Sequence, residues 1–253
     1  MNDVNASGLK TVGTEPYVGE TPQIALGSWL TPNPLFYVRS QFDYPDLDES
    51  SWMLQAASSG GQEITFSLND IRQLPKHTLP VTLECAGNNR VDLNPKAPGN
   101  QFENGAVSNA VWSGTSLNSV LSKMNLSEDV VEILFEGADI GSPAADKGPE
   151  PYLRSLPLDL ARHQDTLLAY EMNGETLPLE HGYPVRLIVP GWYGMAHVKW
   201  LTKITALNKP FSGYFQGEKY VLKYEDGTEK PVQEMQVKSA ITSPCENESL
   251  KCC

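Results

Sequence analysis

The chain has 253 residues, 40% of them hydrophobic and 20% charged, a length and balance that suit one sizeable core or two small ones folding without disulfide staples. A formal charge of −12 excludes the basic face that a sequence-independent nucleic-acid binder needs, so no nucleic-acid partner is expected, and an anionic substrate would need a local cluster of Arg and Lys to overcome the global field. No run of about 18 or more apolar residues occurs, so no membrane span is expected; the opening MNDVNASGLKTVGTEPYVGE lacks the basic and apolar regions of a secretory signal, and the expectation is a cytoplasmic protein, or a periplasmic one whose signal has been removed.

In chain order, residues 1–33 are rich in Gly, Pro, Thr and Asn and predict an extended N-terminal arm that would be ordered only by docking. A strand is expected over 79–85, where Val81, Leu83 and Cys85 share a face and the chain then breaks at Ala86-Gly87-Asn88. Leu117, Val120, Leu121 and Met124 follow helical spacing behind the capping candidates Thr115 and Ser116. A strand over 129–136 should close at Gly137. Segments 167–172 and 175–179 flank Asn173-Gly174, the pair best suited to a tight hairpin. Strands over 184–189 and 197–205 follow, the second with Val198, Trp200, Thr202 and Ile204 alternating against His197 and Lys199. Strands and short helices alternate without a regular βαβ rhythm, which predicts an α+β class with a mixed sheet.

Nucleotide-phosphate loops (GxGxxG, GxxxxGK[ST]), the esterase elbow GxSxG and the zincin pair HExxH are all missing. Of four cysteines, Cys245, Cys252 and Cys253 crowd the end of the chain and read as tail thiols rather than a zinc site or disulfide framework. Cys85 stands alone. At the end of an apolar strand it is either a small buried hydrophobe or a thiolate that loop amides and cations help to bind a soft metal. Arg39, in PLFYVRSQF, is either a rim residue or a planar fork for an oxyanion. His181 and Arg186, in HGYPVRLIVPG, are either a turn residue and a snorkelling cation or donors to a phosphate; His197 and Lys199 suit a solvated strand face equally well.

Together the segments LECAGNNR, FEGAD, LAYEMNGETLPLEHGYPVRLIVPGWYGMAHVKWL and QVKSAITSP resemble the molybdopterin-binding domain of the sulfite oxidase family, which includes eukaryotic assimilatory nitrate reductases. The resemblance runs collinearly from about residue 34 to the end. It implies the mixed-sheet sulfite-oxidase-type molybdopterin-binding fold with short helices, and a Mo-molybdopterin cofactor whose only covalent protein ligand is Cys85. It also implies that Arg39 approaches the metal and an anionic substrate, that Tyr37, Val38, Ser40 and Gln41 lie along the pterin, and that Asp139, His181, Arg186, His197, Val198 and Lys199 hold the pterin and its phosphate. FSGYFQGEKYVLKY aligns Tyr220, in preference to Tyr214, on the family's active-site tyrosine.

The family more often has Asn-His at Ser40-Gln41, Asn89 replaces the first Arg of its CAGNRR while Arg90 keeps the second, and Phe102 replaces a Trp. By the same resemblance residues 34–230 form the molybdopterin-binding catalytic domain, and 231–253 begin an immunoglobulin-like dimerisation domain of which only a truncated start is present. The full domain would make a homodimer and lend the pocket a further basic residue. The expected function is oxidation of sulfite, a small oxyanion, with electrons passed to a separate acceptor such as a cytochrome. The alternatives are a nitrate- or sulfoxide-reductase-like member of the family, or an inactive cofactor-binding remnant.

Overall fold

The computed structural model describes residues 8–58 and 63–243, so the tail cysteines Cys245, Cys252 and Cys253 lie outside the described residues. In chain order the elements are β1 (Lys10–Thr14), β2 (Tyr17–Glu20), β3 (Met53–Ala57), β4 (Glu63–Ser67), α1 (Leu68–Arg72), β5 (Lys76–Glu84), β6 (Val107–Ser116), α2 (Leu117–Leu121), β7 (Glu132–Gly141), β8 (Glu150–Pro157), α3 (Leu158–Ala161), β9 (Leu167–Met172), β10 (Glu175–Thr176), β11 (Arg186–Ile188), β12 (Leu201–Leu207), β13 (Val221–Lys223) and β14 (Glu229–Pro231). Two five-stranded sheets carry the architecture. One runs β10-β9-β6-β5 with β11 also on β9, and the other runs β4-β3-β12-β7-β8. In the second sheet β12 runs parallel to β3 while the β3–β4, β12–β7 and β7–β8 pairs are antiparallel, which makes that sheet mixed. No helix among the described residues is long and apolar enough to cross a membrane.

The first sheet is buried on both sides, and its sequence says why. Along β9, Leu168 and Tyr170 join the larger core with Leu54, Ile133, Phe135 and Ile204 of the second sheet, whereas Leu167 and Ala169 point the other way. That other face, with Val81, Leu83 and Trp112, is covered by Val18, Phe36, Tyr37 and Phe102. Trp112 is fully buried, and its indole N–H donates to Val81 O at 3.2 Å, so the ring brings apolar area inside without stranding a donor.

The segment expected as an extended arm carries the β1–β2 hairpin and short 3₁₀ turns, and it docks by hydrogen bonds as well as by Val18. Thr31 N donates to Asn109 O at 2.8 Å, Asn173 Nδ2 donates to Thr31 O at 2.9 Å, and Tyr37 N donates to Ser108 Oγ at 3.1 Å. These bonds deliver residues 36–41 to the edge of the first sheet.

Local expectations fare differently. Asn173 and Gly174 take φ of 52° and 80°, the tight hairpin that joins β9 to a β10 of only two residues, since Leu179 instead belongs to a 3₁₀ turn. The four residues spaced for a helix are all buried around α2, although Ser116 makes no side-chain cap. Gly137 does not close its strand: β7 continues to Gly141, with a register irregularity after Glu136. A Cβ at Gly137 would overlap Asp139 Oδ1 and stand 2.9 Å from Lys199 O, so this glycine serves a close approach rather than a stop.

The expected strand over 197–205 also needs correction. It begins only at Leu201, after a 3₁₀ turn Gly194–Ala196 and an irregular stretch. Trp200 has φ of 49°, held there because its buried ring donates Nε1–H to Leu179 O at 2.9 Å while its backbone N–H reaches Gly182 O. The left-handed residue breaks the alternation, so His197 and Lys199 do not form a solvated strand face.

Candidate functional site

A cleft opens where the docked residues 36–41 meet the end of β5, the bulged end of β7 and the loops around β11. Cys85 sits one residue past β5, where Cys85 N donates to Ala106 O at 2.9 Å and extends the ladder by one bond. The next loop is tied by Asn88: its Oδ1 accepts from Ala106 N at 3.0 Å and its Nδ2 donates to Glu84 Oε1 at 3.2 Å. Glu84, itself buried, is paired with Lys238 Nζ at 2.8 Å. Gly87 N–H points at the Cys85 sulfur, 3.4 Å away. Burial pushes the Cys85 thiol up, while this N–H and the guanidinium groups of Arg39 and Arg90 oppose the shift.

On the docked segment, Arg39 Nη2 donates to Gln41 Oε1 at 2.9 Å, and Gln41 Nε2 donates to the Tyr220 hydroxyl. Tyr220 follows a wide helical turn, Tyr214–Lys219, and burial raises its phenol against the pull of Arg39. That turn is clamped from below by Arg154 on β8, which is 1% exposed and donates Nη1–H to Phe215 O at 2.6 Å and Nη2–H to Val232 O at 3.4 Å. Val232 N in turn donates to Tyr220 O at 2.8 Å. Tyr37 is buried beside Cys85, and burial and the thiol both raise its hydroxyl; Gly194 leaves room for it, a Cβ there standing 2.6 Å from the oxygen.

The deeper half of the cleft collects buried cations and imidazoles. Arg186 is buried, donating Nη1–H to His181 O at 2.7 Å and Nη2–H to His197 O at 3.1 Å, with its guanidinium 5.0 Å from the Trp112 ring. Lys199 Nζ donates to Ser40 Oγ at 2.6 Å and Glu180 O at 2.8 Å and lies 4.1 Å from the Trp200 ring centre. Burial and then Arg186 hold its pKa well below the usual lysine value. Asp139 continues the buried face of β7, and burial raises its carboxyl to about 6 despite Lys199. His181 and His197 are both pushed down to about 3, first by burial and then by Arg186, so both imidazoles are neutral.

Thus Tyr37, Arg39, Ser40, Gln41, Cys85, Asp139, His181, Arg186, His197, Lys199 and Tyr220 line one cleft. Val38 and Val198 do not: Val38 pairs its backbone with Gly19, and Val198 is core whose carbonyl accepts from Leu187 N at 2.8 Å. Phe36, Tyr152, Glu180 and Met195 line the cleft without having been singled out. Period 2 in EPYLRSLP, which places Tyr152 and Arg154 on one buried face of β8, was the available signal for Tyr152.

The donor set fits a metal that arrives with its own organic ligands. No three His, Cys, Asp or Glu side chains gather for a metal among the described residues, and Cys85 is the one thiol among the residues lining this cleft. Asp139 Oδ1 and Arg186 Nε are buried with no hydrogen-bond partner, one acceptor and one cationic donor aimed at the needs of a heterocycle bearing N–H groups and a phosphate. Residues 41–215 match the family described as the oxidoreductase molybdopterin binding domain. The chain belongs to this molybdopterin-binding oxidoreductase family. Its cofactor is accordingly the molybdenum form of molybdopterin.

Relatives place the family more finely. Mitochondrial sulfite oxidase of Rattus norvegicus is 35% identical over 254 residues, covering 93% of this chain and 45% of its own length. Nitrate reductase [NADH] 1 of Phaseolus vulgaris is 31% identical over 268 residues, covering 97% of this chain and 30% of its own. The sulfane dehydrogenase SoxCD of Paracoccus pantotrophus superposes with a TM-score of 0.79 at 28% identity, over 92% of this chain and 58% of that one. The chain spans about half the length of the sulfite oxidases it matches.

Proposed function

We propose that this chain oxidises sulfite to sulfate and passes the electrons to a separate acceptor, such as a cytochrome with a basic docking face that suits the −12 charge. The observation that carries the reading is the convergence of a lone thiol, Cys85, with Arg39 and the Gln41–Tyr220 pair at one cleft. When bound, the cofactor supplies two-electron redox chemistry at its metal. Cys85 ligates that metal as a thiolate. Arg39 presents a permanent charge that orients the oxyanion and stabilises charge built up during reaction. Tyr220, its oxygen fixed by Gln41, donates a hydrogen bond beside the reacting atoms and moves a proton there. Arg186, Lys199, His181, His197 and Asp139 hold the pterin and its phosphate, with Tyr37, Ser40 and Gln41 along one side.

Reduction of an oxyanion is the second reading, favoured by the nitrate reductases among the relatives at 31–32% identity. Elemental analysis for molybdenum, followed on the same sample by sulfite-dependent reduction of ferricyanide, separates the readings. One metal per chain with sulfite turnover supports sulfite oxidation. Metal without turnover, but with reoxidation of the reduced protein by nitrate, supports the second reading. A chain that takes up no molybdenum refutes both.

A further inference from the structure

Among the described residues, five lysines of this acidic chain are salt-bridged. Lys10, Lys76, Lys147, Lys223 and Lys238 each face a carboxylate. Among the described residues, Arg39, Arg90 and Lys219 form no ion pair, although the chain holds 31 acidic residues. The neighbouring Glu218 is taken by Lys147 at 2.7 Å, which turns that carboxylate away from Lys219.

Lys219 Nζ donates instead to Gln41 Oε1 at 3.2 Å, the same oxygen that accepts from Arg39 Nη2 at 2.9 Å. One neutral amide oxygen therefore holds two positive charges, and its own amide nitrogen holds the Tyr220 hydroxyl. Arg90 is fixed nearby by its bond to Pro98 O. The three charges feel one another: after burial of its end against the Phe215 ring, 5.2 Å away, Arg39 and Arg90 are what lower the Lys219 ammonium. Like charges crowded onto a neutral acceptor are unfavourable unless an anion is received between them.

We propose that Lys219 is a specificity-determining residue of the cleft, adding a third positive charge to Arg39 and Arg90 so that the site takes a small oxyanion and disfavours a neutral sulfur compound. This deepens the function proposed above by naming the charge class of the substrate. Lys219 is exposed at the rim, so its charge acts on entry and binding rather than on the bond that changes.

The test uses the molybdenum-loaded enzyme, with sulfite as substrate and sulfate as the unreactive probe. Removing one charge a few ångströms from the anion at a wet rim should raise the sulfite KM and the sulfate inhibition constant together by about five- to tenfold in Lys219→Ala, with kcat within about twofold. Lys219→Gln, which keeps a donor for Gln41, should behave as the alanine variant, and Lys219→Arg should restore wild-type values. Lys123→Ala, which removes an equal charge from the exposed surface after α2, should change neither constant. Wild-type constants in Lys219→Ala or Lys219→Gln, or a loss confined to kcat, would overturn the inference. If the wild-type protein fails to oxidise sulfite, sulfate calorimetry decides separately: affinity that falls in Lys219→Ala upholds the anion site while the substrate reading fails, and affinity that does not fall sinks both.

Discussion

Acid should weaken this fold through His197, and the substitution His197→Gln isolates the effect. His197 Nδ1 accepts from Val189 N at 3.1 Å, Nε2–H donates to Trp192 O at 3.0 Å, and Arg186 Nη2 sits on its carbonyl. Burial first and then Arg186 lower the imidazole from 6.5 to about 3, and a second ring proton would also have to displace the Val189 N–H. Because the folded value is the lower one, the unfolded chain binds a proton that the folded chain refuses. The stabilisation is complete above about pH 6.5 and is lost as pH falls toward 3. Between about pH 7.5 and about pH 5, roughly 1.5 units of that window are crossed, worth about 2 kcal/mol at 1.4 kcal/mol per unit. Glutamine can still accept from Val189 N and donate to Trp192 O but does not titrate. Urea unfolding at the two pH values should therefore cost the wild-type protein about 2 kcal/mol more than His197→Gln. His181, Asp139 and Lys199 titrate in both proteins and cancel in the difference. Equal losses, or a wild-type protein that gains stability in acid relative to the variant, would refute the reasoning.

Three further outcomes are expected. Cys85→Ser should keep the wild-type circular dichroism and denaturation midpoint yet lose turnover, because a hydroxyl is a harder and far less acidic donor; full activity would dismiss the assigned ligand. Gly137→Ala should cost about 1–3 kcal/mol in chemical denaturation, since its Cβ meets Asp139 Oδ1 and the Lys199 carbonyl, and an unchanged midpoint would show that β7 gives way there. Arg154→Met should cost about 3 kcal/mol by leaving Phe215 O and Val232 O without their donor, and should speed amide hydrogen exchange over 214–221; protection equal to wild type would mean that the turn before Tyr220 holds itself.

The cleft is assembled from stretches far apart in the chain, and this dispersal explains how much of it could be read from the sequence. Cys85 at the end of β5 was legible because alternating apolar residues and the Ala86-Gly87-Asn88 break are neighbours in sequence. The Asn173-Gly174 hairpin was legible because its two positive φ values are a property of those residues. The resemblance to a molybdopterin-binding family supplied the roles of the candidates, and eleven of these, Cys85 among them, line the cleft.

What local pattern could not carry is whatever depends on a distant partner. Alternation over 197–205 was real in the residues, but the buried Trp200 indole needs Leu179 O, and that bond sets a left-handed φ that turns His197 and Lys199 inward. Gly137 looked like a strand end because nothing nearby shows that Asp139 and Lys199 will close over it. Nothing in the local sequence marks Lys219; the fold alone sets it on the Gln41 oxygen already used by Arg39. By itself the sequence determined the strand that leads to Cys85, the Asn173-Gly174 turn and the buried face of α2, because dihedral preference and periodicity act over a few residues. Only the tertiary structure decided which charges share an acceptor and which stay unpaired, because that follows from sheet order and docking between residues 178 positions apart.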